Sequence, residues 1–258
     1  MAGLAIVTGA SAGLGVGFAE SLAAKGHDLL LVARRADRLD DLAAKLRATG
    51  VKVDVAAADL GAEGGVAAVV AAIGGRPVDL LINNAGSGLR GDFAKLDIAA
   101  QSAMVRLNCT SLMELSHAVL PGMIAAKAGG ILNVASTAAF QPGPWMAVYY
   151  ATKAFVLSFS EALHEEVKPH GVRVSALCPG PTKTEFADVA GMGESALFKM
   201  MGSGPDPVVR DGLAALEANQ AVKISGAMNF MMAESIRLTP RGLARSIAGR
   251  LQKSRADG

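Results

Sequence analysis

The chain has 258 residues, of which 51% are hydrophobic, and its 25 basic and 23 acidic side chains leave a formal net charge of +2. That length suits one α/β domain with a large core, and the near-neutral charge argues against a nucleic-acid-binding surface. The two cysteines, Cys109 and Cys178, and four scattered histidines are too few for a disulfide framework or a metal cluster. We therefore expect reduced thiols, no metal and a location in the cytoplasm.

Two uncharged stretches resemble membrane-directed segments but do not fit that role. Residues 2–19 lack the basic start of a signal peptide and are rich in glycine. Residues 128–152 are long enough to span a bilayer, but Pro142, Gly143 and Pro144 would leave the backbone unsatisfied in lipid. The sequence predicts no transmembrane segment.

In chain order, short apolar runs alternate with longer helical patterns. Such strands with helical connections indicate a parallel sheet covered on both faces, with right-handed crossovers. The predicted strands are Leu4–Val7, Asp28–Val32, Val51–Ala57, Val78–Asn83, Gly130–Ala135, Val172–Leu177 and Ala221–Ile224. The main predicted helices are Gly13–Lys25, Asp37–Thr49, Ala99–Ala126, Tyr149–Lys168, Pro207–Gln220 and a last one from Thr239-Pro240. We predict an α/β fold: one doubly wound, Rossmann-like domain over residues 1–258, with a mostly parallel seven-stranded sheet.

The pattern weakens after Pro179. Residues 182–207 are rich in glycine and predict a mobile loop or a substrate lid. The apolar segment Met228–Met232 could pack within the subunit, against a partner subunit or on a membrane surface, and we expect it in the core.

A glycine-rich turn, Thr8-Gly9-Ala10-Ser11-Ala12-Gly13-Leu14-Gly15, joins the first predicted strand to the first helix. Glycines allow a tight turn and close backbone approach, and a helix N-terminus offers N–H groups to a phosphate. The spacing differs from G-x-G-x-x-G, and no Gly-Lys-Ser/Thr follows as in a P-loop. We predict a dinucleotide pyrophosphate site, with a purely structural turn as the alternative.

The second predicted strand is followed by Arg34 and Arg35, where an NAD-binding site usually carries an acidic residue. An arginine can hold the 2′-phosphate of NADP by charge-assisted hydrogen bonds. Cations are unfavourable at a helix N-terminus, so an anionic partner explains the two arginines better than solvation does. We predict NADP(H) as the cofactor.

Tyr149 and Lys153 stand four residues apart, which places the phenol and the ammonium on one face of a helix. Bringing a phenol pKa from about 10 to near 7 needs about 4 kcal/mol, and an ammonium ~5 Å away at an effective dielectric of ~20 supplies about 3 kcal/mol. We predict an acid/base pair in which Lys153 moves the pKa of Tyr149 most of the way and a bound cationic cofactor ring supplies the rest; the alternative is an exposed lysine on an aromatic ring. Tyr150 is a rival acid, but its i+4 neighbour is Ala154, which cannot tune it.

These motifs, with Ser136 thirteen positions before Tyr149, resemble those of the short-chain dehydrogenase/reductase family from residue 3 to about 185. The other motifs that carry the resemblance are Asp59-Leu60, Asn83-Asn84-Ala85-Gly86, Asn108 in the long helix, and Pro179-Gly180-Pro181-Thr182-Lys183-Thr184. Each follows the strand or lies in the helix that the family pattern requires.

The resemblance implies a catalytic set of Asn108, Ser136, Tyr149 and Lys153. Tyr149 would be the general acid in reduction, and Ser136 would bind the substrate oxygen. Lys153 would also hold the nicotinamide ribose, and Asn108 would steady a water that connects Lys153 to solvent. The implied cofactor-binding residues are Gly9, Ser11, Gly13, Leu14, Gly15, Arg34, Arg35, Asp59, Leu60, Asn84, Ala85, Gly86, Tyr149, Lys153, Pro179, Gly180, Thr182 and Thr184.

Apolar side chains near these motifs indicate an adaptable hydrophobic wall, unless they only fill gaps in the core. They are Phe140, Trp145, Met146, Phe186, Met192, Phe198, Met200 and Met201. We predict an NADP(H)-dependent oxidoreductase that reduces a hydrophobic ketone or aldehyde. The alternatives are a non-catalytic NADP(H) sensor or scaffold, and an epimerase or dehydratase. The resemblance also implies a homodimer or homotetramer formed through the two long helices.

Overall fold

The structure, a computed structural model, describes residues 3–186 and 204–252. The strands are β1 Leu4–Thr8, β2 Asp28–Ala33, β3 Val53–Ala57, β4 Val78–Asn83, β5 Gly130–Val134, β6 Arg173–Cys178 and β7 Val222–Ile224. The α-helices are α1 Leu14–Ala24, α2 Ala36–Arg47, α3 Gly65–Ile73, α4 Ile98–Val105, α5 Ser111–Ala126, α6 Ala147–Val167, α7 Pro205–Glu217, α8 Ala227–Leu238 and α9 Arg241–Gln252.

The seven strands form one sheet in the order β3-β2-β1-β4-β5-β6-β7, and every pairing is parallel. The chain starts in the middle with β1, winds outward through β2 and β3, and then returns to β4 on the other side. This confirms the predicted doubly wound α/β fold. The single-domain extent over 1–258 stays a prediction.

Alternate residues of each central strand supply two separate cores. In β1, Ala5 and Val7 face the core formed with α1, α2 and α7, whereas Leu4 and Ile6 face the core formed with α3, α5 and α6. Because side chains alternate across a strand, a strand that is buried on both faces must be apolar throughout. The apolar runs in the sequence reflect this burial.

The long helix predicted at Ala99–Ala126 is interrupted. Between α4 and α5, residues Arg106–Thr110 form one π-helical turn, which contains Asn108. An added residue per turn rotates the following helix and leaves a local bulge, and such bulges occur often at functional sites. Sequence periodicity did not reveal it, because every residue of the turn is compatible with an ordinary α-helix.

The expectation that Met228–Met232 packs in the core is wrong. This segment opens α8, where Met228, Phe230 and Met231 are each more than half exposed. The predicted lid at 182–207 falls mainly on residues 187–203, outside the described part of the chain.

Two properties of the described residues bear on function. None of their helices combines the length and apolarity needed to cross a bilayer. They also contain no cluster of three or more His, Cys, Asp or Glu able to hold a metal ion.

Candidate active site

A cleft of about 650 Å³ opens at the carboxyl ends of the strands, near the place where the order turns between β1 and β4. Open α/β sheets bind ligands there because the loops after adjacent strands diverge. The predicted site residues that line it are Gly9, Ser11, Gly13, Leu14, Arg34, Arg35, Asp59, Leu60, Asn84, Ala85, Gly86, Ser136, Tyr149, Lys153, Pro179, Gly180, Thr182 and Thr184. Of the predicted set, Gly15 and Asn108 do not line it.

The glycine turn closes tightly on its own backbone. Gly9 and Gly13 have positive φ angles of 67° and 57°, a conformation that favours glycine. A Cβ on Gly15 would lie 2.1 Å from the Gly9 carbonyl oxygen, so a larger residue does not fit. Gly13 is the N-cap of α1, and no side chain from the described residues caps this helix, which leaves its first amides for an anion. The turn therefore fits a dinucleotide pyrophosphate.

Thr8 and Asn84 tie the glycine turn to the loop after β4. The Thr8 hydroxyl accepts hydrogen bonds from the main-chain N–H groups of Asn84 at 3.0 Å and Ala85 at 2.9 Å. The Asn84 side chain donates to the Thr8 carbonyl at 2.9 Å. Together they hold the two loops that flank the cleft floor. Sequence reasoning gave Thr8 no role of its own, although its place at the end of the first strand was the available signal.

Arg34 and Arg35 are exposed at the start of α2 and line the cleft. The Arg35 guanidinium donates to the Ser11 hydroxyl at 3.1 Å and to the Glu185 carboxylate at 2.9 Å. Glu185, which sequence reasoning did not single out, thus supplies an anionic partner from within the chain.

Asp59 and Leu60 line the cleft beyond the end of β3. The Asp59 carboxylate accepts the Gly61 N–H at 2.9 Å through Oδ1. This bond orients the carboxylate and leaves Oδ2 for a ligand that carries hydrogen-bond donors.

Tyr149 and Lys153 lie on the buried face of α6, with 5% and 6% of their surface exposed. The Lys153 ammonium donates to the Val134 carbonyl at 2.8 Å and lies 5.9 Å from the centroid of the Tyr149 ring. Tyr150 and Phe186 pack on the Tyr149 ring at centroid distances of 6.0 and 5.8 Å. The structure thus brings the predicted pair together, and the alternative of an exposed lysine is wrong.

The acid/base properties of the pair differ from the prediction. Burial raises the pKa of Tyr149 to about 12, although its hydrogen bond with the Ser136 side chain acts in the opposite direction. Burial lowers the pKa of Lys153 to about 8. The prediction that Lys153 moves the phenol pKa most of the way toward 7 therefore fails for the chain by itself, because the lost hydration of a buried phenolate dominates. The further shift expected from a bound cofactor ring stays a prediction. At pH 7 the phenol is protonated and the amine is charged.

Ser136 lies just after β5, and it lines the same wall of the cleft as Tyr149. Its side chain accepts the Ala138 N–H at 3.1 Å and so begins the 3₁₀ turn Thr137–Phe140. The neighbouring Thr137 N–H donates to the Pro179 carbonyl at 2.9 Å, which joins this loop to the one after β6. The bond from Ala138 fixes the orientation of the Ser136 hydroxyl, and the bond from Thr137 fixes the position of the loop that carries it.

Asn108 in the π-helical turn is 2% exposed, and its amide group is held by protein partners. Its Nδ2 donates to the Ser87 carbonyl at 2.9 Å and to the Thr152 hydroxyl at 3.0 Å, while its Oδ1 accepts the Ser87 N–H at 2.9 Å. Both amide hydrogens are thereby used. A Cβ on Gly86 would lie 3.3 Å from Asn108 Oδ1 and 3.6 Å from Lys153 Nζ, so the glycine keeps the space between them open.

The segment after β6 is held against α8. A Cβ on Gly180 would lie 2.4 Å from the Asn229 side chain, and Asn229 in turn donates to the Ser225 carbonyl at 2.7 Å. Helix α8, which the sequence patterns did not predict, therefore forms one wall of the cleft. The apolar residues that it and α4 contribute are Ala100, Ala103, Met104, Met232, Ala233 and Ile236.

The predicted hydrophobic wall is only partly correct. Phe186 lines the cleft, but Phe140 and Trp145 do not, and Met146 is 1% exposed inside the cluster with Tyr149. The remaining predicted members, Met192, Phe198, Met200 and Met201, lie outside the described residues. Closeness in sequence to Ser136 and Tyr149 did not predict which side chains line the cleft, because the loop before α6 turns its apolar side chains away from it.

With this fold and cleft, the chain belongs to the short chain dehydrogenase family, whose model matches residues 3–194. Sulfoacetaldehyde reductase 2 of Chromohalobacter salexigens is 35% identical over 220 residues, which cover 84% of this chain and 87% of that protein. The very-long-chain 3-oxoacyl-CoA reductase of Bos taurus is 33% identical over 190 residues, 72% of this chain and 61% of that protein. The chain thus spans about three fifths of the length of that second relative.

Solved structures agree in fold. A short-chain dehydrogenase from Sphingobium yanoikuyae, in complex with NADPH, is 36% identical and superposes with a TM-score of 0.82 over 93% of this chain and 94% of its own. The bulky-bulky ketone specific alcohol dehydrogenase of Comamonas testosteroni is 32% identical, with a TM-score of 0.78 over 93% and 92% of the two chains. The family is one of oxidoreductases that use a nicotinamide cofactor.

Proposed function

We propose that this chain is an NADP(H)-dependent oxidoreductase that reduces a hydrophobic ketone or aldehyde. The observation that supports this most directly is the convergence of Ser136, Tyr149 and Lys153 on one wall of the cleft. Hydride addition to a carbonyl builds negative charge on its oxygen, so a preplaced hydroxyl and a proton donor are the groups that the reaction needs. A non-catalytic sensor has no use for them.

The cleft residues fit a nicotinamide dinucleotide. We assign the pyrophosphate to the turn at Gly9–Gly15, the adenine to Asp59 and Leu60, and the nicotinamide end to Tyr149, Lys153 and Thr182. When bound, this cofactor supplies the hydride. The remaining proposed contacts come from Asn84, Ala85, Gly86, Pro179, Gly180 and Thr184.

Tyr149 is the proposed general acid. Its pKa of about 12 keeps the phenol protonated at neutral pH, which is the form that donates to a carbonyl oxygen. Loss of that proton would leave a buried phenolate, which the Lys153 ammonium, 5.9 Å from the centroid of the ring, would stabilise by Coulomb attraction. Ser136 donates to the same substrate oxygen. Asn108 positions the helix that carries Tyr149 and Lys153 through its hydrogen bonds to Ser87 and Thr152.

We propose NADP(H) rather than NAD(H) because two arginines, and no acidic residue, follow β2 directly. A guanidinium presents paired donors that match a phosphate. Dissociation constants for NADPH and NADH, in wild type and in the double variant Arg34→Ala/Arg35→Ala, test the preference. An unchanged ratio in the double variant would show that these arginines do not set the preference.

The substrate we propose is a bulky apolar carbonyl compound. Leu89, Met104, Phe186, Met232 and Ile236 line the cleft, and such side chains favour hydrophobic ligands. Two similar proteins have names that refer to a very-long-chain 3-oxoacyl-CoA and to bulky ketones, which supports a substrate of this size class.

NADPH consumption with a panel of hydrophobic ketones and aldehydes tests the activity. We expect turnover in wild type, a loss of at least about 100-fold in Tyr149→Phe, and NADPH binding that persists in that variant. Tyr150→Phe is the matched control and should keep its turnover. If wild type binds NADPH but turns over no carbonyl in the panel, the sensor or scaffold alternative gains.

We further propose assembly into a homodimer or homotetramer through α4, α5 and α6. Their outer surfaces expose the large apolar side chains Ile98, Val105, Met113 and Phe155, of which Ile98 is 67% exposed. Phe155 stacks on Phe159 with a centroid distance of 5.9 Å, so the patch contains an ordered aromatic pair. Exposed apolar patches of this kind mark interaction surfaces.

A further inference from the structure

Glu185 bridges two distant parts of the cleft. Its two carboxylate oxygens accept separately from Arg35, at 2.9 Å, and from Arg38, at 2.5 Å. The arginines open α2, whereas Glu185 follows the segment after β6. Because the three side chains are between 42% and 48% exposed, this contact lies at the cleft surface rather than in the core.

The same contact crosses the mouth of the glycine turn. Arg35 also donates to the Ser11 hydroxyl through Nε and Nη2, at 3.3 and 3.1 Å. Next to Glu185, the Thr184 side chain would touch a Cβ on Gly13 at 3.1 Å. Residues 184 and 185 therefore lie over the turn and reach the arginines on its far side.

A carboxylate and a phosphate use the same donors of an arginine. Planar guanidinium groups recognise both anions through paired N–H donors, and the phosphate carries the larger charge. Arg38 and Arg35 lower the pKa of Glu185, so the carboxylate is charged and occupies these donors at neutral pH. A 2′-phosphate that approaches Arg35 must displace this carboxylate or bind beside a like charge.

We propose that Glu185 is a coenzyme-specificity residue that competes with the 2′-phosphate of NADP(H) for Arg35. This inference rests on the proposed function, which places the phosphate at Arg35. NAD(H) lacks the phosphate and leaves the ion pairs intact. Glu185 therefore weakens the binding of NADP(H) but not that of NAD(H). Without it, the arginines would give a stronger preference for NADP(H) over NAD(H).

Isothermal titration of wild type and Glu185→Gln with NADPH and with NADH tests this. We expect the dissociation constant for NADPH to fall about three- to tenfold, as for the loss of one or two exposed ion pairs, and that for NADH to change less than about twofold. Glu217→Gln is the matched control, because it removes the same charge from an exposed ion pair, with Lys25, that does not line the cleft. It should change neither constant.

A second variant pair isolates the competition. In an Arg35→Ala/Arg38→Ala background, Glu185→Gln should no longer strengthen NADPH binding, since its partners are gone. Equal weakening of NADPH and NADH by Glu185→Gln would overturn the inference, because it would mean that the bridge holds any dinucleotide. If wild type prefers NADPH and Glu185→Gln alters neither constant, the inference fails while the proposed coenzyme preference stands. If Arg34→Ala/Arg35→Ala does not reduce the affinity for NADPH, the proposed coenzyme preference itself fails.

Discussion

The carboxamide of Asn108 donates a hydrogen bond of 3.0 Å to the Thr152 hydroxyl and thereby joins the π-helical turn to the helix that carries Tyr149 and Lys153. The same hydroxyl donates its only hydrogen to the Tyr149 carbonyl at 2.7 Å. Thr152 thus acts as acceptor on one side and donor on the other. The placement of Tyr149 relative to Asn108 depends on these directed bonds as well as on apolar packing.

Replacing Thr152 by valine should destabilise the fold. The valine has nearly the same shape but leaves an Asn108 N–H buried without its acceptor, which costs about 1–3 kcal/mol. Urea denaturation followed by circular dichroism measures the effect. Thr152→Ser, which keeps the hydroxyl, should cost clearly less; equal stability of the serine and valine variants would contradict the role of the hydrogen bond.

The buried Lys153 should make stability depend on pH. Its pKa is about 8 in the folded chain and near the ordinary value of 10.5 when unfolded, so between these values the unfolded chain binds more protons. Stability of the wild type relative to Lys153→Met should therefore rise with pH, by up to about 3 kcal/mol at 1.36 kcal/mol per unit. Urea denaturation of both proteins between pH 7 and 9 tests this and should show about 1 kcal/mol of the rise. Above pH 9 the raised pKa values of Cys109, Cys178 and Tyr149 oppose the trend. A constant difference between pH 7 and 9 would contradict the prediction.

Gly15→Ala should abolish dinucleotide binding. The added methyl would lie 2.1 Å from the Gly9 carbonyl oxygen, so the turn must open and its amides must move. Calorimetric titration with NADPH measures the loss. Gly122→Ala in α5 is the control, since nothing in the described part of the chain lies within 4 Å of its Cβ position. It should bind normally and gain about 0.5–1 kcal/mol from helix propensity.

Gly143→Ala should disturb the wall of the cleft through Tyr150. A Cβ there would lie 2.3 Å from the Tyr150 ring, whose edge packs on Tyr149 at 6.0 Å. We expect overpacking to lower the free energy of unfolding by about 1–3 kcal/mol. In a Tyr150→Ala background the same change should cost little, as a double-mutant cycle would measure. Additive effects would show that the strain lies elsewhere.

Phe155→Glu should dissociate the proposed assembly. The substitution puts a charge into the apolar surface of α6, whereas the stability of a single subunit should change little because Phe155 is 40% exposed. Sedimentation equilibrium reports the mass in solution. Val70→Glu on α3, at 41% exposure, is the control for an added surface charge. A wild type that sediments as a monomer would contradict the proposal.

Local patterns predicted the fold closely because each one reports a local requirement. A parallel strand buried on both faces must be apolar over its length, so β4 was predicted with its observed bounds, Val78–Asn83. The glycine turn was found because a positive φ favours glycine and a 2.1 Å approach leaves no room for any other residue. The pairing of Tyr149 with Lys153 followed from helix periodicity together with the motifs around it.

Contacts between distant segments were not predictable in this way. Glu185 meets Arg35 across 150 residues, and Thr8 meets Asn84 across 76, with no periodicity that connects them. The pKa of Tyr149 depends on how completely the fold removes water from the phenol, and spacing carries no such information. Apolar composition also suggested core packing for the start of α8, whose surroundings in the fold leave it exposed.

The amino-acid sequence by itself determined the order of strands and helices and the residue types at the carboxyl edge of the sheet, because backbone conformation and side-chain periodicity are short-range properties. Only the tertiary structure decided which of these side chains are dehydrated and which charges face each other. Dehydration and charge pairing depend on every element packed around a group, and those elements come from all parts of the chain.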